Sequence, residues 1–350
     1  MISQHHLPLV ELTRGSIVES THYGSVVVIS SNGKIIISYG DANTPFFLRS
    51  SAKPFQALAL IEHGGAEKYN LSLKEIAILC ASHSGTDAHI SVLRVIQKKI
   101  GIQESDLQCG VHPPYDKQTQ EQLLLSDEKP TSLRHNCSGK HTAMLAFAKM
   151  IGAPLNTYLE INHPVQQAIL KIFAEMCSIE VENVQLGTDG CSAPVFAIPL
   201  KNAALGFARF GDTRDLNQTR ADACTLIFKA MIKYPEMVAG PGRFDTLFMH
   251  TSAGRIMSKS GAEGYLAMTI SPNTIKSGSP GMGMTIKISD GDLEQRAGPV
   301  VALEVLKKLG ALNEKQIHAL ARFDQHKITN WSGLEVGIIR PSRAFSFPIN

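Results

Sequence analysis

Ser50-Ser51-Ala52-Lys53-Pro54 places a hydroxyl three residues before an amine at the point where a helix is expected to begin. Residues three apart share a helical face, so Lys53 is expected within reach of the Ser50 hydroxyl, the arrangement of a serine nucleophile with a lysine base. The run Phe55-Gln56-Ala57-Leu58-Ala59-Leu60-Ile61 carries the helix to Gly64-Gly65, and Pro54 is tolerated because it falls in the first turn. Ser31-Asn32-Gly33-Lys34 and Ser126-Asp127-Glu128-Lys129 repeat the spacing, but the first reads as a hairpin turn and the second as a charged loop. The structural alternative for Ser50 and Ser51 is a helix N-cap.

Working outward, two strand-like segments at 25–29 and 34–39 precede this helix, joined by Asn32-Gly33 as an antiparallel hairpin. From about 70 to 250 the apolar spacing is mostly helical, with helices expected over 72–79, 87–100, 140–151, 163–176 and 212–233. Strands return at 255–258, 264–269, 283–288 and 336–339, with one helix over about 298–309. The order predicts an α/β chain of the α+β kind. One antiparallel sheet is assembled from both termini, 1–69 and 250–350, and a mostly helical lobe, 70–249, is inserted between them to give one enzyme unit. The element order resembles that of the serine β-lactamase and penicillin-binding fold.

The 350 residues are 43% hydrophobic and 19% charged, ordinary for a globular protein with a sizeable core. The net charge of +3 is scattered, without a basic stripe interleaved with aromatics, which argues against a nucleic-acid partner. No run has the length of a membrane span, and Met1-Ile2-Ser3-Gln4-His5-His6-Leu7-Pro8 lacks a leader pattern, so the expected location is the cytoplasm. Six cysteines are too sparse for a disulfide framework and read as buried thiols, metal ligands or nucleophiles.

In that fold a second lysine is expected from a late strand, and Lys259-Ser260-Gly261 occupies the place. Burial beside another cation lowers a lysine toward neutrality, so two lysines converging on serine hydroxyls have a chemical purpose. Ala81-Ser82-His83-Ser84-Gly85-Thr86 ends an apolar run in hydroxyls and offers Ser82 to the same pocket; alternatively, Ser84 or Thr86 caps the helix that follows. Arg134-His135-Asn136-Cys137-Ser138-Gly139-Lys140-His141-Thr142 sits just before a helix, where a thiol is acidified, so Cys137 reads as a nucleophile or a metal ligand. Gly187-Thr188-Asp189-Gly190-Cys191-Ser192 adds a thiol and a carboxylate on a tight turn. Two thiolates with Lys140 or His141 and a water make a four-coordinate zinc site, the alternative being two unrelated buried cysteines. Arg243 is a possible carboxylate anchor, and His112 lies in a Pro-directed loop that can face a pocket.

Taken together, the segments 49–56, 81–85, 109–113, 135–141, 187–192 and 259–264 resemble, in order and over nearly the whole chain, the L-asparaginase II family of Rhizobium etli type. The resemblance implies a β-lactamase-like and glutaminase-like fold, usually a homodimer, that hydrolyses L-asparagine to L-aspartate and ammonia. It pairs Ser50 with Lys53 and Ser82 with Lys259 as two Ser-Lys tandems. It also implies a zinc ion held by Cys137, Lys140 and Cys191, with Asp189 and His141 nearby. On the same motifs, Arg49, His112, His141, Asp189 and Gly261 are the expected substrate contacts. The chain lacks the T-G-G-T segment of the classical bacterial asparaginases.

The expected chemistry is a two-step amidohydrolysis with Ser50 attacking, Lys53 as base, and Ser82 and Lys259 relaying protons; the two serines can also be assigned in reverse. A β-lactamase or D,D-peptidase shares the Ser-Lys and Lys-Ser-Gly elements. A non-catalytic zinc-binding amino-acid sensor is the reading from a different class.

Overall fold

The computed structural model describes residues 6–349. Val26-Val27-Val28-Ile29 is buried residue by residue, and its side chains alternate between two cores, Val27 and Ile29 entering one, Val26 and Val28 the other. The two-residue period of a strand therefore makes this segment the wall between them. It belongs to the strand Ile17–Ser30, which pairs antiparallel with Leu7–Arg14, Ile35–Tyr39 and Met282–Ile288. Met282–Ile288 continues the sheet to Tyr265–Ile270 and then Ile256–Ser260. Glu335–Pro341 and His326–Thr329 extend it beyond Leu7–Arg14. The antiparallel sheet thus draws its strands from both ends of the chain, as the sequence predicts.

One sheet face packs on the helix Ala297–Lys308 through Met284, Ile286, Val300 and Val301. The other receives the helix Leu200–Gly211 at very short range. A Cβ at Gly283 would lie 1.8 Å from the Ala204 carbonyl oxygen, so only glycine permits this approach. Thr285 and Thr269 donate their hydroxyls to the Leu200 and Phe207 carbonyls at 3.0 and 2.6 Å. Behind lies the helix Lys53–Glu62, whose Phe55 meets Phe173, Phe207 and Phe210 edge-on at 5.3, 5.2 and 4.9 Å. Burying one such ring contributes roughly 2–3 kcal/mol, and this cluster fixes the helix that carries Lys53.

Two stretches differ from the sequence expectation. The helix expected over 212–233 is Gln218–Lys233, preceded by the separate helix Leu200–Gly211. The break falls at Asp212, whose carboxylate is taken by Ser31, Arg214 and the Gly281 amide, and Asn217 then caps the next helix on the Arg220 amide. The mostly helical stretch also contains a small antiparallel sheet, Gln185–Thr188 and Pro194–Pro199 with Pro45–Phe47. Its edge strand Gln185–Thr188 and central strand Pro194–Pro199 flank the turn that carries Asp189 and Cys191. Leu7–Arg14 and His326–Thr329 are further strands for which the sequence raised no expectation. No helix among the described residues is long and apolar enough to cross a membrane.

Candidate active site

Ser50 lies in a 3-10 turn, Arg49–Ala52, that leads directly into Lys53–Glu62. Arg49 at the head of the turn has φ +50°, an uncommon conformation for a side-chain-bearing residue, and its guanidinium donates to Asp189 at 2.7 Å. Lys53 points inward and is wholly buried. Its amine reaches the Ser82 hydroxyl at 2.8 Å and the Asn136 carbonyl at 3.2 Å. Ser82 stands in the loop after the helix Leu73–Leu79, its amide fixed on the Val238 carbonyl at 2.8 Å. Thr86 in that loop caps Asp87–Ile100, so the capping reading and the placement of Ser82 hold together.

Lys259 comes from the strand Ile256–Ser260, also wholly buried, and reaches the same Ser82 hydroxyl at 3.0 Å and the Ser260 carbonyl at 2.6 Å. Two amines therefore share one hydroxyl. Where the sequence pairs Ser50 with Lys53 and Ser82 with Lys259, the structure places both lysines on Ser82. A buried amine needs acceptors, and Lys53 finds them in two loops rather than in its own turn. Among the described residues the Ser50 hydroxyl takes no hydrogen-bond partner, and it lines the cavity. Ser51, the other hydroxyl of the pair, is buried and donates to the Lys259 carbonyl at 2.7 Å.

Burial holds Lys53 below the ordinary amine range and pushes Lys259 down to about 7. A hydroxyl between two such amines donates to the neutral one and accepts from the other.

These groups open on a cavity of about 860 Å³ lined by Ser50, Ser82, Tyr115, Arg243, Gly261 and Glu263, among others. Gly261 is required by contact. A Cβ there would lie 2.5 Å from the Leu48 carbonyl oxygen and 3.0 Å from the Ser51 hydroxyl. His112 is half-buried beside the wall, its Nε2 accepting from the Asn136 amide at 3.1 Å and its ring stacked on Tyr115. His141 is wholly buried and is not among the lining residues; Nδ1 meets the Tyr158 hydroxyl at 2.6 Å, and Nε2 has no partner among the described residues.

A second cluster adjoins. Cys137, Asp189 and Cys191 bring their ligand atoms within 4.8 Å of one another, and the Lys140 amine lies 2.9 Å from the Cys191 sulfur and 3.8 Å from the Asp189 carboxylate. Burial opposes charge on Lys140, but Cys137, Cys191 and Asp189 outweigh it and raise the amine above its ordinary value. The hydrogen bond from Cys191 stabilises Cys137 as the ionised thiol. Two sulfurs, a carboxylate and an amine, largely buried, form a donor set that fits zinc, provided the amine gives up its proton.

Arg243, read from the sequence as a possible carboxylate anchor, lines the cavity but donates to the Ser82 carbonyl at 2.9 Å. Sequence reading missed two further supports: Asn136 contributes its backbone oxygen to Lys53, and Asp245 supports Lys259. Asp245 sits behind Lys259, and the signal for it was present in the chain: strand alternation turns Ser258 and Ser260 to one side of Lys259, where they need an acceptor.

No curated protein matches the chain. Among solved structures it is similar to a probable glutaminase from Bacillus subtilis, at 12% identity over 82% of this chain and 84% of that one, TM-score 0.38. It is likewise similar to a β-lactamase from Sphaerobacter thermophilus, at 13% identity over 83% and 92%, TM-score 0.44. The pattern of one sequence family, L-asparaginase II, matches residues 10–341. With that match running through every segment of the site just described, the chain belongs to the L-asparaginase II family and is an amidohydrolase.

Proposed function

We propose that this amidohydrolase converts L-asparagine to L-aspartate and ammonia through a serine ester. The observation that carries the reading is the convergence of two buried, proton-poor lysines on the Ser82 hydroxyl at the wall of a cavity that Ser50 also lines. Ser50 is the proposed nucleophile, because its hydroxyl is free and faces the cavity, whereas Ser82 is held between amines as a proton relay. Attack of Ser50 Oγ on the side-chain amide carbon forms the C–O bond, and the Ser50 proton passes to the Lys53, Ser82 and Lys259 group. That proton then goes to the leaving nitrogen as the C–N bond breaks and ammonia departs. Water attacks the ester, gives a proton to the same group, and Ser50 recovers its own. Backbone N–H groups at the head of the Arg49–Ala52 turn are the proposed oxyanion donors.

Zinc is proposed on Cys137, Lys140 and Cys191 with Asp189 beside them. When bound, the ion supplies a positive centre that orients substrate or a site water. Arg49 and Asp189, joined at 2.7 Å, connect that cluster to the nucleophile turn and are proposed to contact substrate together with Gly261. A homodimer in the cytoplasm completes the proposal.

The reverse serine assignment is favoured by one observation, that both amines lie on Ser82 and not on Ser50. Ammonia release from L-asparagine and L-glutamine by wild type, Ser50→Ala and Ser82→Ala, with mass spectrometry of the trapped ester, decides between them. An ester on a peptide containing Ser50 supports the proposal, and one on Ser82 reverses it. Nitrocefin hydrolysis without ammonia release indicates a β-lactamase-type enzyme instead.

A further inference from the structure

The segment 238–245 crosses behind both halves of the site. The Val238 carbonyl accepts from the Ser82 amide at 2.8 Å, and the Ala239 carbonyl accepts from the Ser84 hydroxyl at 2.8 Å. Arg243 donates to the Ser82 carbonyl at 2.9 Å. Two residues on, in the first turn of the helix Phe244–Thr251, Asp245 is 2% exposed. It accepts from the Ser258 hydroxyl at 2.6 Å, the Ser260 amide at 2.9 Å and the Ser260 hydroxyl at 3.0 Å. Ser258 and Ser260 flank Lys259, so a carboxylate that binds both grips the back of the strand and leaves Lys259 aimed at the opposite side, toward Ser82.

We propose that the Arg243-Phe244-Asp245 turn is the positioning element of the site: Arg243 fixes the Ser82 loop, Asp245 fixes the Lys259 strand, and their shared backbone sets the distance between hydroxyl and amine. Neither residue needs to touch the reacting amide. The inference rests on the proposed use of Lys259 in amide hydrolysis, although its structural half stands apart from any substrate.

The turn also carries two of the charges that act on Lys259. Burial is the main force lowering this amine; Asp245 works against it, while Lys53 and Arg243 work with it. Cys137, at the head of the Ser138–Ile151 helix, also works against it, and the neutral Cys80 thiol faces Lys259 from the end of the Leu73–Leu79 helix. Opposite charges on one turn predict opposite effects. Asp245→Asn keeps shape and most hydrogen bonds but removes a negative charge, so Lys259 loses its proton at lower pH. Arg243→Gln removes a positive charge, so Lys259 holds its proton to higher pH.

The test follows the 13Cε resonance of Lys259, assigned with Lys259→Arg, against pH in wild type and both variants, and measures kcat and KM for L-asparagine on the same samples. The expected midpoint is near 7 in wild type, about one pH unit lower in Asp245→Asn and higher in Arg243→Gln. The expected kcat loss is about 10- to 100-fold in each variant, with a smaller change in KM. Midpoints that stay together, or move in the same direction, overturn the proposal. If Asp245→Asn does not fold, Arg243→Gln decides by its direction alone. Absence of ammonia release from wild type overturns the functional reading but leaves the resonance test of the turn intact.

Discussion

Lys259 and Lys140 are both buried lysines, 0% and 2% exposed, yet their surroundings drive them in opposite directions. Lys259 meets a serine hydroxyl and a backbone carbonyl, neutral acceptors that do not repay the cost of burying an ammonium, and it falls to about 7. Lys140 meets the Cys191 sulfur and the Asp189 carboxylate and feels the charge of Cys137, and it rises. Burial penalises charge in both; the neighbours decide the outcome. The lysines on Ser82 are thereby suited to take a proton, and the lysine among the thiols to hold one, which the proposed zinc would have to displace.

The largest effect expected on that comparison comes from the hydroxyl that both amines share. Ser82→Ala removes the relay and is expected to lower ammonia release from L-asparagine by about 1000-fold or more, read from initial rates. Ser50→Ala is expected to lose as much, and a smaller loss in either assigns that serine to structure.

Next come the lysines themselves. Lys140→Met leaves the buried thiolate without its cation and Asp189 with Arg49 alone, and is expected to cost about 3 kcal/mol in denaturant unfolding. Lys259→Met removes a buried group held away from its preferred charge and is expected to stabilise the fold by about 1 kcal/mol at pH 7 while abolishing turnover. The sign follows from linkage: the folded state releases the Lys259 proton near 7 and the unfolded chain near 10.5, so the unfolded state binds more protons between these values. Wild-type stability from this group therefore rises with pH across that window, and its penalty is complete below it. Equal stability changes in the two variants would erase the distinction between the two regions.

Gly261→Ala strikes the hydroxyl side by shape alone. Its Cβ meets the Leu48 carbonyl, so a loss of about 1–3 kcal/mol in unfolding is expected, with reduced turnover. The smallest effect is expected from the thiol side. Treatment with a chelator should remove about one zinc per chain and lower turnover by about tenfold, and Cys137→Ser should abolish zinc retention, measured by elemental analysis. Undiminished metal content in Cys137→Ser would exclude the proposed ligand set.

The chain displays much of this architecture directly. Unbroken apolar residues over 26–29, the Asn32-Gly33 turn and the late strands give an antiparallel sheet drawn from both termini, because strand periodicity and turn chemistry are local. The break at Asp212 escapes such reading, since its partners Ser31 and Gly281 are distant in sequence. Lys53, Ser82 and Lys259 are each visible in their motifs, but which amine meets which hydroxyl depends on how two loops and a strand pack. Asp245 is the instructive omission: Ser258 and Ser260 announce by their alternation that an acceptor is needed, but a lone acid beside Phe244 has no motif that marks it as that acceptor.

The most direct measurement is the pH dependence of ammonia release from L-asparagine in wild type and Ser82→Ala. The structure predicts a wild-type rate that rises through an acid limb near pH 7, as Lys259 loses its proton, and a variant with almost no turnover at any pH. Undiminished turnover in Ser82→Ala, with the same pH profile as wild type, would contradict the central claim that two buried lysines act through one serine hydroxyl.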